Sequence, residues 1–136
     1  MAYFLAKTDP ETYSVSDFAR DKNTVWDGVT NPLAARHIST MRKGDKVFLY
    51  HSMGDSAVVG LAKVASSPRL DPKNSKSWVV DMSFVAPLDP PTSLRTIKES
   101  NLFASFDLVR NSRLSTMPCP DDFVDWLRAR YPKSKI

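Results

Sequence analysis

Lys46-Val47-Phe48-Leu49-Tyr50-His51 and Ala57-Val58-Val59-Gly60-Leu61-Ala62-Lys63-Val64 are two apolar runs separated by Ser52-Met53-Gly54-Asp55-Ser56. Aromatic and β-branched runs flanking a short glycine-containing loop predict a β-hairpin. Downstream, Trp78, Val80, Met82 and Phe84 alternate with Val79, Asp81, Ser83 and Val85, the period of a third strand. Upstream, the aromatic-rich residues 2–7 read as a strand as well. Strands therefore dominate the middle of the chain.

Helices bracket them. Thr12–Arg20 reads as a short helix with Ser14 as N-cap and Asp17 three residues on, a capping box. Asn31-Pro32 supplies a cap and a first helical residue for a helix from Pro32 to Met41. Pro87-Leu88-Asp89-Pro90-Pro91 is expected to break the sheet, after which Thr92 or Ser93 caps a brief helix reaching about Glu99. Residues 106–116 read as irregular or as a short edge strand. Pro120 opens a last helix with the stripe Phe123, Trp126, Leu127 and Tyr131. Trp78, Phe84 and Trp126 lie on periodic faces and are assigned to the core. Residues 1–136 read as a single domain with a frayed tail at 132–136. The class is α+β: a small, mostly antiparallel, curved sheet or barrel with peripheral helices.

Composition narrows the function. The 136 residues hold 42% hydrophobic and 25% charged side chains, as in ordinary globular domains. No apolar stretch approaches the ~20 residues that span a bilayer, and the N-terminus lacks signal-peptide features, so a cytoplasmic or nuclear location is expected, with no membrane partner. Cys119 is the only cysteine, and His37 and His51 the only histidines, which argues against a disulfide or a thiolate- or histidine-rich metal site. Cys119 is expected to be inert. No Ser/His/Asp spacing or glycine-rich phosphate loop is visible, so no cofactor is expected. A net charge of +4 favours phosphate-bearing partners.

Several blocks carry a resemblance. Lys7-Thr8-Asp9-Pro10, Val25-Trp26-Asp27-Gly28-Val29-Thr30-Asn31-Pro32, Met41-Arg42-Lys43-Gly44-Asp45, Phe48-Leu49-Tyr50-His51-Ser52 and Leu108-Val109-Arg110-Asn111-Ser112-Arg113-Leu114-Ser115 occur in this order. With Val58-Val59-Gly60-Leu61-Ala62 and Val79–Val85 they cover nearly the whole chain, which in order and spacing resembles EVE domains. The resemblance implies a PUA-like fold, a small β-barrel with helices around its rim, related to YTH domains that hold a methylated adenine in an aromatic pocket. It also implies binding to DNA or RNA at a modified or flipped-out base, with no chemistry performed; separately, the chain is expected to be a monomer. One block departs from a widely met version of the family: where that version has Tyr and Arg, this chain has Pro32 and Ala35.

Eight residues are the candidates for a binding site. Trp26, read as a loop residue, offers a stacking wall worth ~1–3 kcal/mol to an unstacked base, or else plugs the barrel end. His51 and Ser52, at a strand end, offer hydrogen bonds to a base edge; a histidine there equally often satisfies a backbone group. Asn31 is a helix cap whose amide alternatively reads a base edge. Lys7 is a phosphate or base-carbonyl contact, or pairs with Asp9 or Asp17. Arg110 and Arg113 clamp phosphates or pair with Asp107 or Asp81. Ser14 is read first as a cap and retained as a ligand candidate. Arg69, Lys73 and Lys76 in the polar loop suit a sequence-independent backbone grip, or are solvated lysines and arginine. Two other functions remain open: a small-molecule or protein-interaction module using the same pocket, and a nucleobase-modifying enzyme using His51 with Asp9 or Asp27.

Overall fold

The computed structural model describes residues 1–136. The central hairpin forms as its sequence predicts, with β3 (Lys46–His51) antiparallel to β4 (Ala57–Val64). Val47 to Tyr50 and Ala57 to Ala62 are buried without a break. Unbroken burial replaces alternation because both faces of these strands are covered. β1 (Tyr3–Thr8) lies parallel to β3, and β7 (Thr116–Pro118) antiparallel to β1. On the other side β4 pairs with the long β6 (Asn74–Ser93), which pairs in turn with β2 (Asn23–Trp26). β5 (Arg69–Asp71) folds back on the start of β6, inside the stretch read as a polar loop.

The architecture is the α+β arrangement expected. Its ladder is not closed into a barrel, since the path runs β2-β6-β4-β3-β1-β7 and stops at both ends. Helix α2 (Pro32–Ser39) spans the opening, touching both β6 and β7. Ala34, Ala35 and Ile38 form its buried face, small enough to let the helix sit down between the two sides of the sheet. No helix is long and apolar enough to cross a membrane.

Two aromatic clusters fill the core. Phe123 of α5 (Asp121–Arg130) stands edge-on to Phe48 at 6.2 Å and to Phe103 at 5.1 Å, with Phe106 4.7 Å away. Trp126 packs on this group while remaining partly exposed. On the opposite side, Phe18 of α1 (Val15–Asp21) is the hub of Tyr13, Trp26 and Phe84, at 6.1, 6.2 and 5.5 Å. Trp78 and Phe84 are partly buried against the main core, whereas Val80 and Met82 are fully inside it.

Several local expectations are corrected. Helix α1 starts at Val15, three residues later than the sequence suggests, because the Asp9 carbonyl accepts the N–H groups of Thr12 and Tyr13 in a separate turn. Helix α2 ends at Ser39, short of Met41. The proline segment does not break the sheet. Between the pairs Val58–Thr92 and Gly60–Pro87, β6 takes five steps while β4 takes two. The extra residues, Pro90 and Pro91 among them, bulge out, so their absent N–H groups cost no ladder bond, and Leu88 still reaches the core. The stretch 106–116 contains a single helical turn, α4 (Asp107–Arg110), before β7. Helix α3 (Leu94–Glu99) is capped by Ser93, whose hydroxyl accepts the Thr96 N–H. The last residues contact the body of the protein: Ile136 packs against the core, and its carbonyl accepts a hydrogen bond from Arg128.

Candidate nucleic-acid interface

A cavity of about 600 Å³ opens where the end of β1, the 9–13 turn, β2 and the 27–31 segment converge. That volume lies within the ~300–1,000 Å³ typical of ligand pockets. Trp26, Tyr13 and Val25 give it apolar wall, and Lys7, Asp27, Asn31 and Arg113 give it polar groups.

Trp26 is the last residue of β2, not a loop residue, and is only 7% exposed. Its indole leans on Phe18, so most of its surface belongs to the core and only a margin faces the cavity. Immediately after it the chain turns away through Gly28, whose φ of +74° is left-handed backbone that a side chain would strain. Asp27 is exposed and unpaired at this turn.

Asn31 caps α2. Its Oδ1 accepts the N–H groups of Leu33 at 2.9 Å and Ala34 at 3.1 Å. The cap occupies the acceptor, so the NH₂ is the part of this cavity-lining amide left to donate.

Lys7 is half-buried. Its backbone N–H donates to Ser115 at 2.8 Å, and its ammonium donates to the Ser112 carbonyl at 3.2 Å. The ammonium also lies 5.7 Å from the centre of the Tyr50 ring, and burial lowers its pKa. Neither Asp9 nor Asp17 pairs with it; Asp17 is held by Arg20. These two bonds draw the 112–115 segment to the cavity, where Arg113 is exposed and free of ion pairs. The cavity thus carries Lys7 and Arg113 against Asp27.

The other four candidates lie elsewhere. Arg110 sits 3.6 Å from Asp107, and its side chain is 63% exposed. Ser14 caps α1 in a full capping box, its hydroxyl accepting the Asp17 N–H while Asp17 accepts its own. That backbone bond is the main reason the Asp17 carboxyl is held below its usual pKa. His51 Nε2 accepts the Val15 N–H at 3.0 Å, and burial lowers its pKa. Its ring borders a second cavity of about 820 Å³ beside α3. Ser52 donates its backbone N–H to the Thr8 carbonyl at 3.0 Å. His51 and Ser52 therefore brace the 8–15 wall from behind. Cys119 is partly buried against the core, and burial raises its thiol pKa well above the usual value.

Tyr13, Thr8, Thr12, Thr24 and Thr30 also line the cavity and are not among the sequence candidates; Asp27, named there only as an acid–base partner for His51, lines it too. For Thr8, Thr30 and Asp27 the signal was present, since all three sit inside the quoted blocks. Tyr13 falls inside Thr12–Arg20, the stretch that reads as a helix in the sequence, and so carries no signal as a cavity residue.

An incomplete, mostly antiparallel sheet plugged by a helix, with a cavity at one mouth, is a PUA-like fold. The EVE domain family matches residues 2–130, and the chain belongs to that family. A solved protein of Rhodopseudomonas palustris is 31% identical, with 93% of this chain and 90% of that one covered and a TM-score of 0.87. The human THYN1 protein, solved in complex with 5-methylcytosine-containing DNA, is 22% identical over 98% of this chain and 99% of that one, with a TM-score of 0.88. The YTH domain of Zygosaccharomyces rouxii MRB1, in complex with N6-methyladenosine RNA, is 14% identical, covers 96% of this chain and 86% of that one, and has a TM-score of 0.60. No curated protein sequence matches the chain.

Proposed function

We propose that this chain binds nucleic acid and inspects one extruded, modified base in the cavity beside Trp26. The observation that carries the reading is the cavity itself, which brings Trp26 and Tyr13 together with two cations, Lys7 and Arg113, against the single carboxylate of Asp27. A base entering it meets the Trp26 margin and the Tyr13 ring as apolar surface. The Asn31 NH₂ donates to a ring nitrogen or carbonyl, and the Asp27 carboxylate accepts from an exocyclic amine. Lys7 and Arg113 hold base or phosphate oxygens. His51, Ser52 and Ser14 act as positioning residues for the 8–15 wall, and Arg110 stays with Asp107. The solved complexes of THYN1 and of the YTH domain support this reading, since each holds a nucleic acid with a methylated base. No nucleophile or acid–base pair is needed for it, so the chain acts as a reader and not an enzyme.

The test is a binding screen against DNA and RNA oligonucleotides carrying methylated and hydroxymethylated bases, at two salt concentrations. A reader prefers one modified oligonucleotide over its plain counterpart and loses affinity as salt rises. Salt-insensitive capture of free nucleosides, with no oligonucleotide bound, overturns the reading in favour of a small-molecule pocket.

A further inference from the structure

The β5–β6 hairpin stands next to the cavity and is rooted in its wall. Ser77, buried, donates its hydroxyl to the Val29 carbonyl at 2.6 Å. Three residues further on, Val80 pairs with Trp26. Val29 and Trp26 both line the cavity, so the hairpin is an extension of that rim.

Beyond its root the arm reaches into solvent. Arg69 lies opposite Val79, Leu70 opposite Trp78 and Asp71 opposite Asn74. Residues 72–76 at the tip are all exposed. The tip is braced by backbone groups, since Asp71 Oδ1 accepts the Lys73 N–H at 2.8 Å and Asn74 Oδ1 accepts the Lys76 N–H at 3.1 Å. Arg69 is engaged by Asp81 at 3.0 Å, whereas Lys73 and Lys76 take part in no ion pair. Two free ammonium groups therefore sit on a stiffened arm, with Asp71 as the one carboxylate between Leu70 and Trp78.

We infer that this arm grips the phosphate backbone of the strand whose base occupies the cavity, with Lys76 next to the extruded nucleotide and Lys73 further along. The inference rests on the proposed function, and it locates a contact that chooses no base. Lys76 lies on β6 next to the buried root and Lys73 in the turn at the tip, so the two ammonium groups stand at different points along the arm. A compact ammonium suits sequence-independent phosphate contact, which sets position and affinity but not specificity.

The experiment compares the parent chain with a Lys73→Gln, Lys76→Gln double variant on one modified oligonucleotide and its plain counterpart across a salt series. The turn bonds come from backbone N–H groups, so the hairpin is retained. The expected result is a log–log salt slope shallower by about 1 for each lysine, with both oligonucleotides weakened by the same factor. Their affinity ratio stays that of the parent. An unchanged slope in the variant, while the parent still discriminates, overturns the arm and leaves the base reading standing. A lost affinity ratio with an unchanged slope places the lysines in base choice and also overturns it. Failure of the parent chain to bind any oligonucleotide overturns both.

Discussion

His51 Nε2 accepts the backbone N–H of Val15 at 3.0 Å, joining the end of β3 to the first turn of α1 behind the cavity wall. Only a neutral imidazole can accept this bond, and burial already lowers its pKa. His37 is lowered for the same main reason, and its buried Nε2 has no partner. Both groups bind protons more readily in the unfolded chain, so stability rises with pH through their window. It is fully present above the unfolded histidine value of about 6.5 and lost progressively as pH falls toward the lower folded values. Urea midpoints measured from pH 8 to pH 5 should fall below about 6.5, and His51→Ala should flatten part of that fall. A variant that keeps the full pH dependence assigns it elsewhere.

Asn31 has two duties that one pair of substitutions separates. Asn31→Asp keeps an acceptor for the Leu33 and Ala34 N–H groups and removes the NH₂. Its stability should match the parent's while oligonucleotide binding weakens. Asn31→Ala should lose about 1 kcal/mol of stability, the ordinary worth of a cap, and weaken binding as well. Equal binding by parent and Asn31→Asp removes the amide from the site.

Trp26 is more a core residue than its sequence context suggests, so truncating it confounds folding with binding. Trp26→Ala should cost about 3–5 kcal/mol in denaturant unfolding. Trp26→Phe preserves most of the contact with Phe18 and reduces the margin offered to a ligand. It should weaken binding of the modified oligonucleotide by about 1 kcal/mol with a smaller change in stability. Binding unaffected by Trp26→Phe makes Tyr13 the aromatic wall.

Val15, the first residue of α1, packs over Gly60 of β4. A Cβ there would meet Val15 Cγ2 at 2.8 Å and Leu49 Cδ1 at 3.2 Å. Gly60→Ala should destabilise by about 1–3 kcal/mol through overpacking. Adding Val15→Ala should restore part of that loss, because it removes the atom in the way. Purely additive losses in thermal unfolding indicate that the strain lies in the strand.

Much of the fold was legible because local rules and tertiary context agreed. The β3–β4 hairpin, the Ser14 capping box, the Asn31 cap with Pro32 and the α5 stripe each need only neighbours in sequence. Pro87 to Pro91 was misread because a long-range bulge against β4 absorbs the prolines, and no local pattern announces a bulge. The site was legible in part. Lys7, Trp26, Asn31 and Arg113 meet at one cavity through the β1–β3 and β2–β6 pairings and the 112–115 bonds to Lys7. His51 lies opposite Thr8 at the end of β3, yet its imidazole is taken up by the Val15 N–H, and Ser52 donates its own N–H to the Thr8 carbonyl. Which side a strand-end residue serves depends on register, which the sequence alone does not print.

The sheet stops at β2, four residues long, and at β7, three residues long and ending in Pro118. Ragged, abbreviated borders of this kind, one of them missing a donor, offer a second molecule little to zip onto. Crowded copies of the chain thus have few backbone hydrogen bonds to gain from strand-to-strand association, which guards a sheet left unclosed against fibrous growth.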